Sequence, residues 1–489
     1  MDIRYDLEKI NPNRWLKEKK RELGLRAAHR LLAMSGNNDP FNKGTEGDFV
    51  KAEWFRAVHE RFGYPGIHLR RLHYRVVHSE ETLTLWDGET EYLNIERHWE
   101  KLQEASTPAR ILRLVDADDF TERRNKAVPS IHQEGSGKPE EPEYWITPPS
   151  YSTVLPMALG ASSLPKVLGT SDYSRPEYGV TGYDYSHDMQ PNVVEIWSEK
   201  SGDDAILYWL AGKYGVNYVP GLGFASLTAI KTMLGRLEAS GKPGVVLYVS
   251  DFDPAGQAMP ISVARHCQFA CWELEELADE VAPSIRVDNV AVTREQITSL
   301  RVPRIPIKED DPRKARFELA YGEGAVEVDA LEAIHPGKLE EFLVERIEEL
   351  RDPGLEDTVA DAHAEARRAV RDAINEVQES HRPELEDLAD RAREIEERYS
   401  ALYSALGEEV AERYNRLEAR FDRHVAPLRE ELETAEAEMR QGLEDLEVDL
   451  PELPEGEAPA DGDGRTWLFD SERDFVDQTN HFRRMQGKE

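Results

Sequence analysis

The stretch Val245-Val246-Leu247-Tyr248-Val249-Ser250-Asp251-Phe252-Asp253-Pro254-Ala255-Gly256 narrows the fold more than any other. Five apolar or β-branched residues lead into two carboxylates one residue apart, then a proline and a glycine. The apolar run predicts a strand buried on both faces of a parallel sheet. Asp251 and Asp253 then stand at its carboxyl end, where open α/β sheets bind ligands. Two acids on one loop are costly to desolvate alone, and a divalent cation is their usual partner. The competing reading makes both residues turn-formers.

The surroundings suit such a sheet. Val193–Trp197 predicts a second strand, followed by Ser198, Glu199 and Lys200. Helices are expected near 203–214, 227–239 and 258–270, and strands at 218–220 and 285–292. This alternation predicts a doubly wound α/β sheet across 191–350, with a cap over 295–350. Glu199, Asp251 and Asp253 can then converge from neighbouring strand ends, as three hard oxygen donors for Mg²⁺ or Mn²⁺. Otherwise Glu199 is a surface acid. The loop Gly221–Ser226 lies between a strand and a helix, so Gly223 and Ser226 either offer N–H groups to a phosphate or form a tight turn. It lacks the spacing of a dinucleotide fingerprint and the lysine of a P-loop. Cys267 and Cys271, four apart on a helix, are expected to be buried thiols.

The amino-terminal third has a different pattern. Residues 1–40 form a basic helical segment whose Arg14, Lys17, Lys19, Lys20 and Arg21 either touch phosphates or make a solvated face. Across 41–125, helices at 48–62, 67–77 and 94–104 and a strand at 109–115 follow the order of a winged helix, which can enter a major groove. Arg70, Arg71, His73, Tyr74 and Arg75 lie on its middle helix. The Tyr74 hydroxyl is a candidate nucleophile for a phosphodiester, with arginines to hold the phosphate. The alternative is an aromatic on a half-buried helix face.

Residues 126–190, rich in Pro, Ser, Gly and Tyr, read as an irregular linker. Beyond 355 the chain turns acidic. From Leu385 to Leu446 apolar residues recur at every third or fourth position, as in a coiled coil. One straight helix over that stretch would be about 90 Å long, with Pro427 marking either a kink or the start of a second helix. Residues 447–464 read as a flexible acidic linker, and 465–489, with Trp467, Phe469, Phe475 and Phe482, as a docking peptide.

A formal net charge of −35 argues against nucleic-acid binding at face value. The chain holds 18 Lys against 43 Arg. Acids spread through every region, with Arg preferred to Lys, are what salt-adapted haloarchaeal proteins show, where salt screens self-repulsion. Two cysteines, a polar amino terminus and no long apolar run lead to the expectation of a reduced, cytoplasmic chain with no membrane span.

Five segments together resemble the topoisomerase VI A subunit and the related meiotic DNA-breaking protein, in a stand-alone form of the kind found in viruses and mobile elements. They are Arg71-Leu72-His73-Tyr74, Ser198-Glu199-Lys200, Gly223-Phe224-Ala225-Ser226, Asp251-Phe252-Asp253-Pro254-Ala255-Gly256 and Glu327-Val328-Asp329-Ala330-Leu331. The resemblance implies a winged helix joined to a Toprim domain. Tyr74 would be the nucleophile that links to DNA, with Arg71 beside it. His73 stands where the family has a first tyrosine. Glu199, Asp251 and Asp253 would bind Mg²⁺, while Arg70, Arg75, Lys200, Gly223 and Ser226 would face phosphates. The implied partners are double-stranded DNA, a second copy in a homodimer, and a separate ATPase subunit or other protein reached through the coiled coil and terminal peptide. Two other functions fit the same residues: a hydrolytic Toprim nuclease without a covalent intermediate, and a non-catalytic DNA-binding scaffold.

Overall fold

A computed structural model describes residues 11–116, 119–120, 129–135, 140–148, 176–199, 204–221, 227–278, 282–309, 311–404, 411–458 and 466–488. Lys200, Gly223 and Ser226 lie outside them. In chain order the elements are α1 (Pro12–Glu22), α2 (Glu46–Phe62), α3 (Leu69–Val77), α4 (Glu96–Ile111), β1 (Glu143–Thr147), β2 (Glu177–Thr181), β3 (Val193–Ser198), α5 (Asp204–Tyr214), β4 (Asn217–Val219), α6 (Leu227–Ser240), β5 (Gly244–Val249), α7 (Met259–Glu273), β6 (Ile285–Ala291), α8 (Arg294–Leu300), α9 (Lys314–Tyr321), α10 (Val328–Ile334), α11 (Lys338–Glu348), α12 (Leu355–Ser404), α13 (Ala411–Glu444), β7 (Phe469–Asp470) and α14 (Phe475–Met485). The chain is mixed α/β. It divides into one compact unit of Met1–Lys138, His187–Pro353 and Gly456–Glu489, and another of Pro139–Ser186 and Gly354–Glu455. Among the described residues no helix is long and apolar enough to cross a membrane.

The first unit is built on a sheet of order β4-β3-β5-β6-β7. Its first four strands are parallel and β7 is antiparallel. Strands β3 and β5 are buried at every position, so their side chains alternate between two apolar faces. Val194, Ile196, Val245 and Leu247 meet Leu207 and Leu210 of α5 and Leu339 and Leu343 of α11. Val193, Trp197, Val246 and Tyr248 meet Ile230 and Met233 of α6 and Val263 and Cys267 of α7. Each such side chain contributes about 1.5–3 kcal/mol by leaving water. The carboxyl-terminal peptide closes the far edge: Phe469 pairs with Val287 and Asp470 with Arg286.

A buried ion pair ties both ends of the chain to this sheet. Arg265 on α7 and Asp39 are each fully buried, 3.2 Å apart. The same guanidinium donates to the Leu31 carbonyl, Gln268 Oε1 and Thr479 Oγ1. One cation thereby holds the segment before α2, its own helix and α14.

Helices α2, α3 and α4 share a separate core of Phe55, Val58, Leu72, Val76, Leu102 and Ala105. Thr45 and Asp48 start α2 with a reciprocal capping box. Between α3 and α4 the chain doubles back, with Thr84 paired to Glu91. Asp87 closes that turn by accepting from the Glu89 and Thr90 N–H groups. The strand expected at 109–115 is instead the last turn of α4 and its exit. Leu102, Ala105, Ala109 and Leu112 are all buried, a three-and-four spacing that continues the helical stripe. Arg113 then ends it in a left-handed conformation at φ 53°.

The second unit corrects two expectations. The stretch 126–190, read as irregular, contains two strands: β1 and β2 form an antiparallel pair, with Tyr144 opposite Val180 and Ile146 opposite Tyr178. These four pack with Val370, Ile374, Leu443, Leu446, Val448 and Leu450. The last two lie in the stretch read as a flexible linker, which thus begins as packed chain because apolar residues alternate in Glu447-Val448-Asp449-Leu450. The apolar stripe is carried by two helices, the second of which begins at Ala411 and not at Pro427. The chain folds back between α12 and α13, so that Leu388, Ala392 and Tyr399 face Phe421, Val425, Leu428 and Leu432. Arg391 pairs with Glu431 across the seam. Three-and-four spacing is the same for a stripe that meets its own chain as for one that meets a partner. Pro383 and Pro427 both sit inside helices, so neither proline is the break.

Candidate functional site

Neighbouring strands bring the expected acids to one end of the sheet. Ser198 lies opposite Val249 in the β3–β5 register, and the Glu199 N–H donates to the Val249 carbonyl at 3.0 Å. Glu199 therefore leaves β3 level with the residue where β5 gives way to Ser250 and Asp251. Burial raises the Tyr248 hydroxyl above the usual tyrosine range, and the charge of Glu199 adds to that rise.

The loop after β5 is wound tightly. Asp251 is buried, and its Oδ1 accepts from the Val328 N–H at 2.9 Å. Phe252 and Val326 exchange two backbone hydrogen bonds, of 2.8 and 3.0 Å. Asp253 Oδ1 accepts from the N–H groups of Ala255 and Gly256, at 2.8 and 2.6 Å. The Ser250 hydroxyl donates to the Gly256 carbonyl. A Cβ on Gly256 would stand 2.0 Å from the Asp251 carbonyl oxygen, so only glycine lets the loop close on itself. The segment Val326–Val328 is thus fastened to the Asp-x-Asp loop by three hydrogen bonds, two between backbone groups of Phe252 and Val326 and one from the Val328 N–H to the Asp251 carboxylate.

Carboxylates alone suit a hard cation such as Mg²⁺ or Mn²⁺. Among the described residues, no three His, Cys, Asp or Glu side chains stand close enough together to form a ligand set. Asp251 and Asp253 each commit one oxygen to backbone N–H groups.

The residues singled out on α3 split between its two faces. Arg71, Tyr74 and Arg75 are exposed, and Arg70 is partly so. Tyr74 keeps 45% of its surface. The Arg70 guanidinium lies 4.7 Å from the Trp99 ring and 5.8 Å from the Tyr74 ring, within cation–π range. Arg75 donates to the Phe62 carbonyl. His73 points the other way and is buried. Its Nε2–H donates to Asn94 Oδ1 at 3.1 Å, and the Tyr92 hydroxyl donates to Nδ1 at 2.8 Å. A neutral ring in that tautomer satisfies both partners. Burial is the largest cause that lowers the His73 pKa, and Arg70 lowers it further. Tyr92, Asn94 and Trp99, which hold His73 and Arg70, were invisible to local spacing because they come from the next loop and helix.

The helices around Tyr74 and the strands that lead to the acids are built on separate hydrophobic cores. The bridge between them runs through the end of α4, where Arg113 donates to Glu273 of α7 at 2.8 Å and Ile111 packs with Phe269 and Trp272. Cys267 and Cys271 are both buried free thiols on α7. Burial pushes Cys271 up to about 12 and Cys267 well above its ordinary value, so both are protonated thiols at neutral pH.

No protein-family model matches the chain, and no curated protein matches it.

Proposed function

We propose that this chain binds double-stranded DNA and cleaves it by a Mg²⁺-dependent transesterification of the topoisomerase VI A type. The observation that carries the reading is that Glu199 leaves β3 level with the end of the adjacent parallel strand β5, from which the tightly closed loop of Asp251 and Asp253 departs. These three residues would hold Mg²⁺ or Mn²⁺, which supplies charge neutralisation at a phosphodiester. Tyr74 Oη bonds to phosphorus, the bond from phosphorus to one deoxyribose oxygen breaks, and that oxygen takes up a proton as Tyr74 loses its own. Arg70 and Arg71 hold the phosphate. His73 acts as a positioning residue, because both of its ring nitrogens face away from solvent. The elements that carry Tyr74 and the acids have separate cores, and the resemblance to the topoisomerase VI A subunit implies that the tyrosine of one protomer meets the acids of a second copy. Strand passage would call for a separate ATPase subunit.

That same separation favours a second reading, hydrolysis by water at the acids with Tyr74 idle. One experiment divides the readings. The protein is incubated with end-labelled duplex and Mg²⁺ in high salt, denatured, and resolved for DNA bound covalently to protein. An adduct lost in Tyr74→Phe supports transesterification. Cleavage without adduct, lost in Asp251→Asn, supports hydrolysis. Absence of both across metals and salts overturns the enzymatic reading and leaves a DNA-binding scaffold.

A further inference from the structure

Phe252, which separates the two loop acids, is held by two rings and a cation. It is 1% exposed. Its ring centre lies 5.3 Å from that of Phe317 and 5.5 Å from that of Tyr321, both on α9. The Arg304 guanidinium stands 5.6 Å from the same ring centre, within cation–π range. The two aromatics account for the burial of Phe252. The arginine does not, and its other contacts show what it holds.

Arg304 Nη1 donates to the carbonyls of Gly322, Glu323 and Gly324, at 3.3, 3.2 and 3.2 Å. Three successive carbonyls aimed at one point repel each other unless a cation stands between them. The turn that aims them needs glycine: Gly322 and Gly324 have φ of 86° and 84°, where L side chains are strained. A Cβ on Gly324 would also stand 2.9 Å from the Ile305 carbonyl oxygen and 3.0 Å from Arg304 Cβ. The chain that leaves this turn runs straight into the supports of the acids. Ala325 exchanges two backbone hydrogen bonds of 2.8 Å with Ile305, and Val326 exchanges two with Phe252. The Val328 N–H donates to Asp251. Arg304 therefore meets both the ring between the acids and the turn from which their backbone support departs.

We propose that Arg304 is a positioning residue for Asp251 and Asp253, acting through Phe252 and the turn at 322–324. It holds the Asp-x-Asp loop closed before an ion arrives. A loop that the ion itself had to order would bind that ion more weakly. The proposal rests on the reading of these acids as ligands of Mg²⁺ or Mn²⁺, and one arm of its test does not involve metal.

The test uses the full chain as wild type, Arg304→Met, Phe252→Leu and the double variant. Mn²⁺ binding is titrated by electron paramagnetic resonance, and amide hydrogen exchange is followed without metal. Arg304→Met is expected to weaken Mn²⁺ binding by about 10- to 100-fold, as loss of a partner behind a metal ligand does. It should also speed exchange at the Phe252, Ala255 and Gly256 amides, which are bonded within or onto this loop, and leave the melting temperature near that of the wild type. An arginine that only stabilised the fold would lower melting and leave Mn²⁺ affinity unchanged. Because Arg304 acts through Phe252, the double variant should lose less affinity than the product of the two single losses. Arg304→Lys, whose ammonium can donate to the same carbonyls, should recover part of the affinity. Should Arg304→Met fail to fold, Arg304→Gln decides by the same readouts. A wild type that takes up no Mn²⁺ removes the metal reading, and exchange then decides alone: faster exchange at 252–256 supports Arg304 as the residue that positions the loop. Unchanged exchange there overturns the proposal, as does faster exchange with wild-type Mn²⁺ affinity.

Discussion

The Asp251 carboxylate accepts a hydrogen bond from the Val328 N–H at 2.9 Å. Asp251 thus has a structural task as well as its proposed chemical one, and two substitutions separate them. Asparagine keeps an oxygen that can accept from Val328 but removes the charge. Alanine removes both and strands a buried N–H, at about 1–3 kcal/mol. Asp251→Asn is expected to melt near the wild type while losing any Mg²⁺-dependent rise in melting temperature. Asp251→Ala is expected to lose both. A full Mg²⁺ response in Asp251→Asn would remove Asp251 from the ligand set.

Gly256 governs the same loop through space rather than charge. A methyl group there would meet the Asp251 carbonyl oxygen at 2.0 Å, and the obstacle is backbone that cannot swing aside. Gly256→Ala must open the turn that Asp253 closes on Ala255 and Gly256. The expected cost is about 1–3 kcal/mol, the range for overpacking a tight interior, with DNA cleavage or metal binding falling together with stability. A variant with wild-type melting and activity would show that the loop has room that the closed turn denies.

The central sheet was legible because its signal is local. Val245–Val249 is apolar throughout, as a strand covered on both faces must be, and the Asp-x-Asp follows where the chain leaves it. What failed depended on partners distant in sequence. Ala109–Val115 looked strand-like by composition, yet Ala109 and Leu112 extend a helical stripe begun at Leu102. The stripe from Leu385 to Leu446 carried no mark of direction, so spacing could not separate a long rod from a chain that turns back on itself. Arg265 offered no hint at all. A lone arginine on a helix reads as solvated, and only Asp39 and Thr479, 226 and 214 residues away, reveal it as buried. His73 drew notice only as a departure from a family pattern; its ties to Tyr92 and Asn94 come from the fold.

Arg265 and Asp39 supply a sharp stability test. Truncating one partner of a buried pair leaves the other charged and unpaired, which costs about 3–5 kcal/mol. Replacing Asp39 with asparagine at the same time removes the unpaired charge and keeps oxygen for the Ala33, Met34 and Phe41 N–H groups that Asp39 accepts from. Arg265→Met should therefore destabilise strongly in urea titration, and Arg265→Met with Asp39→Asn should recover part of the loss. Because Arg265 also holds the Leu31 carbonyl and Thr479, hydrogen exchange in the single variant should rise in 28–41 and 475–485 before it rises in β5. Uniform exchange across these segments would mean that the cation does not fasten the chain ends.

Tyr74 needs the opposite control. With 45% of its surface exposed, Tyr74→Phe should change stability by no more than about 0.5 kcal/mol, as surface substitutions usually do. Loss of a covalent DNA adduct in that variant would then report chemistry rather than unfolding. Arg70→Ala is expected to weaken DNA binding and to remove the cation that lies 5.8 Å from the Tyr74 ring. A Tyr74→Phe chain that melts well below the wild type would show that the phenol packs instead of reacting.

His73 fixes how stability should vary with pH. Its folded pKa is lowered, first by burial and then by Arg70, whereas the unfolded value is about 6.5. Between the two values the unfolded chain binds more protons than the folded one, so stability rises with pH in that window. Above about pH 6.5 the ring is neutral in both states, and its bonds to Tyr92 and Asn94 contribute in full. Below it, folding must exclude a proton that the free ring accepts. His73→Gln keeps a donor and an acceptor but does not titrate. Urea midpoints for the two proteins at pH 7.5 and 5.5, in the same salt, should show the wild-type advantage shrinking at the lower pH. His59 and His266 are lowered as well, and His481 is lowered to about 4; all three act with the same sign, are present in both proteins and cancel in the difference. An advantage equal at both pH values would mean that His73 carries the same charge folded and unfolded, and that the neutral tautomer between Tyr92 and Asn94 is wrong.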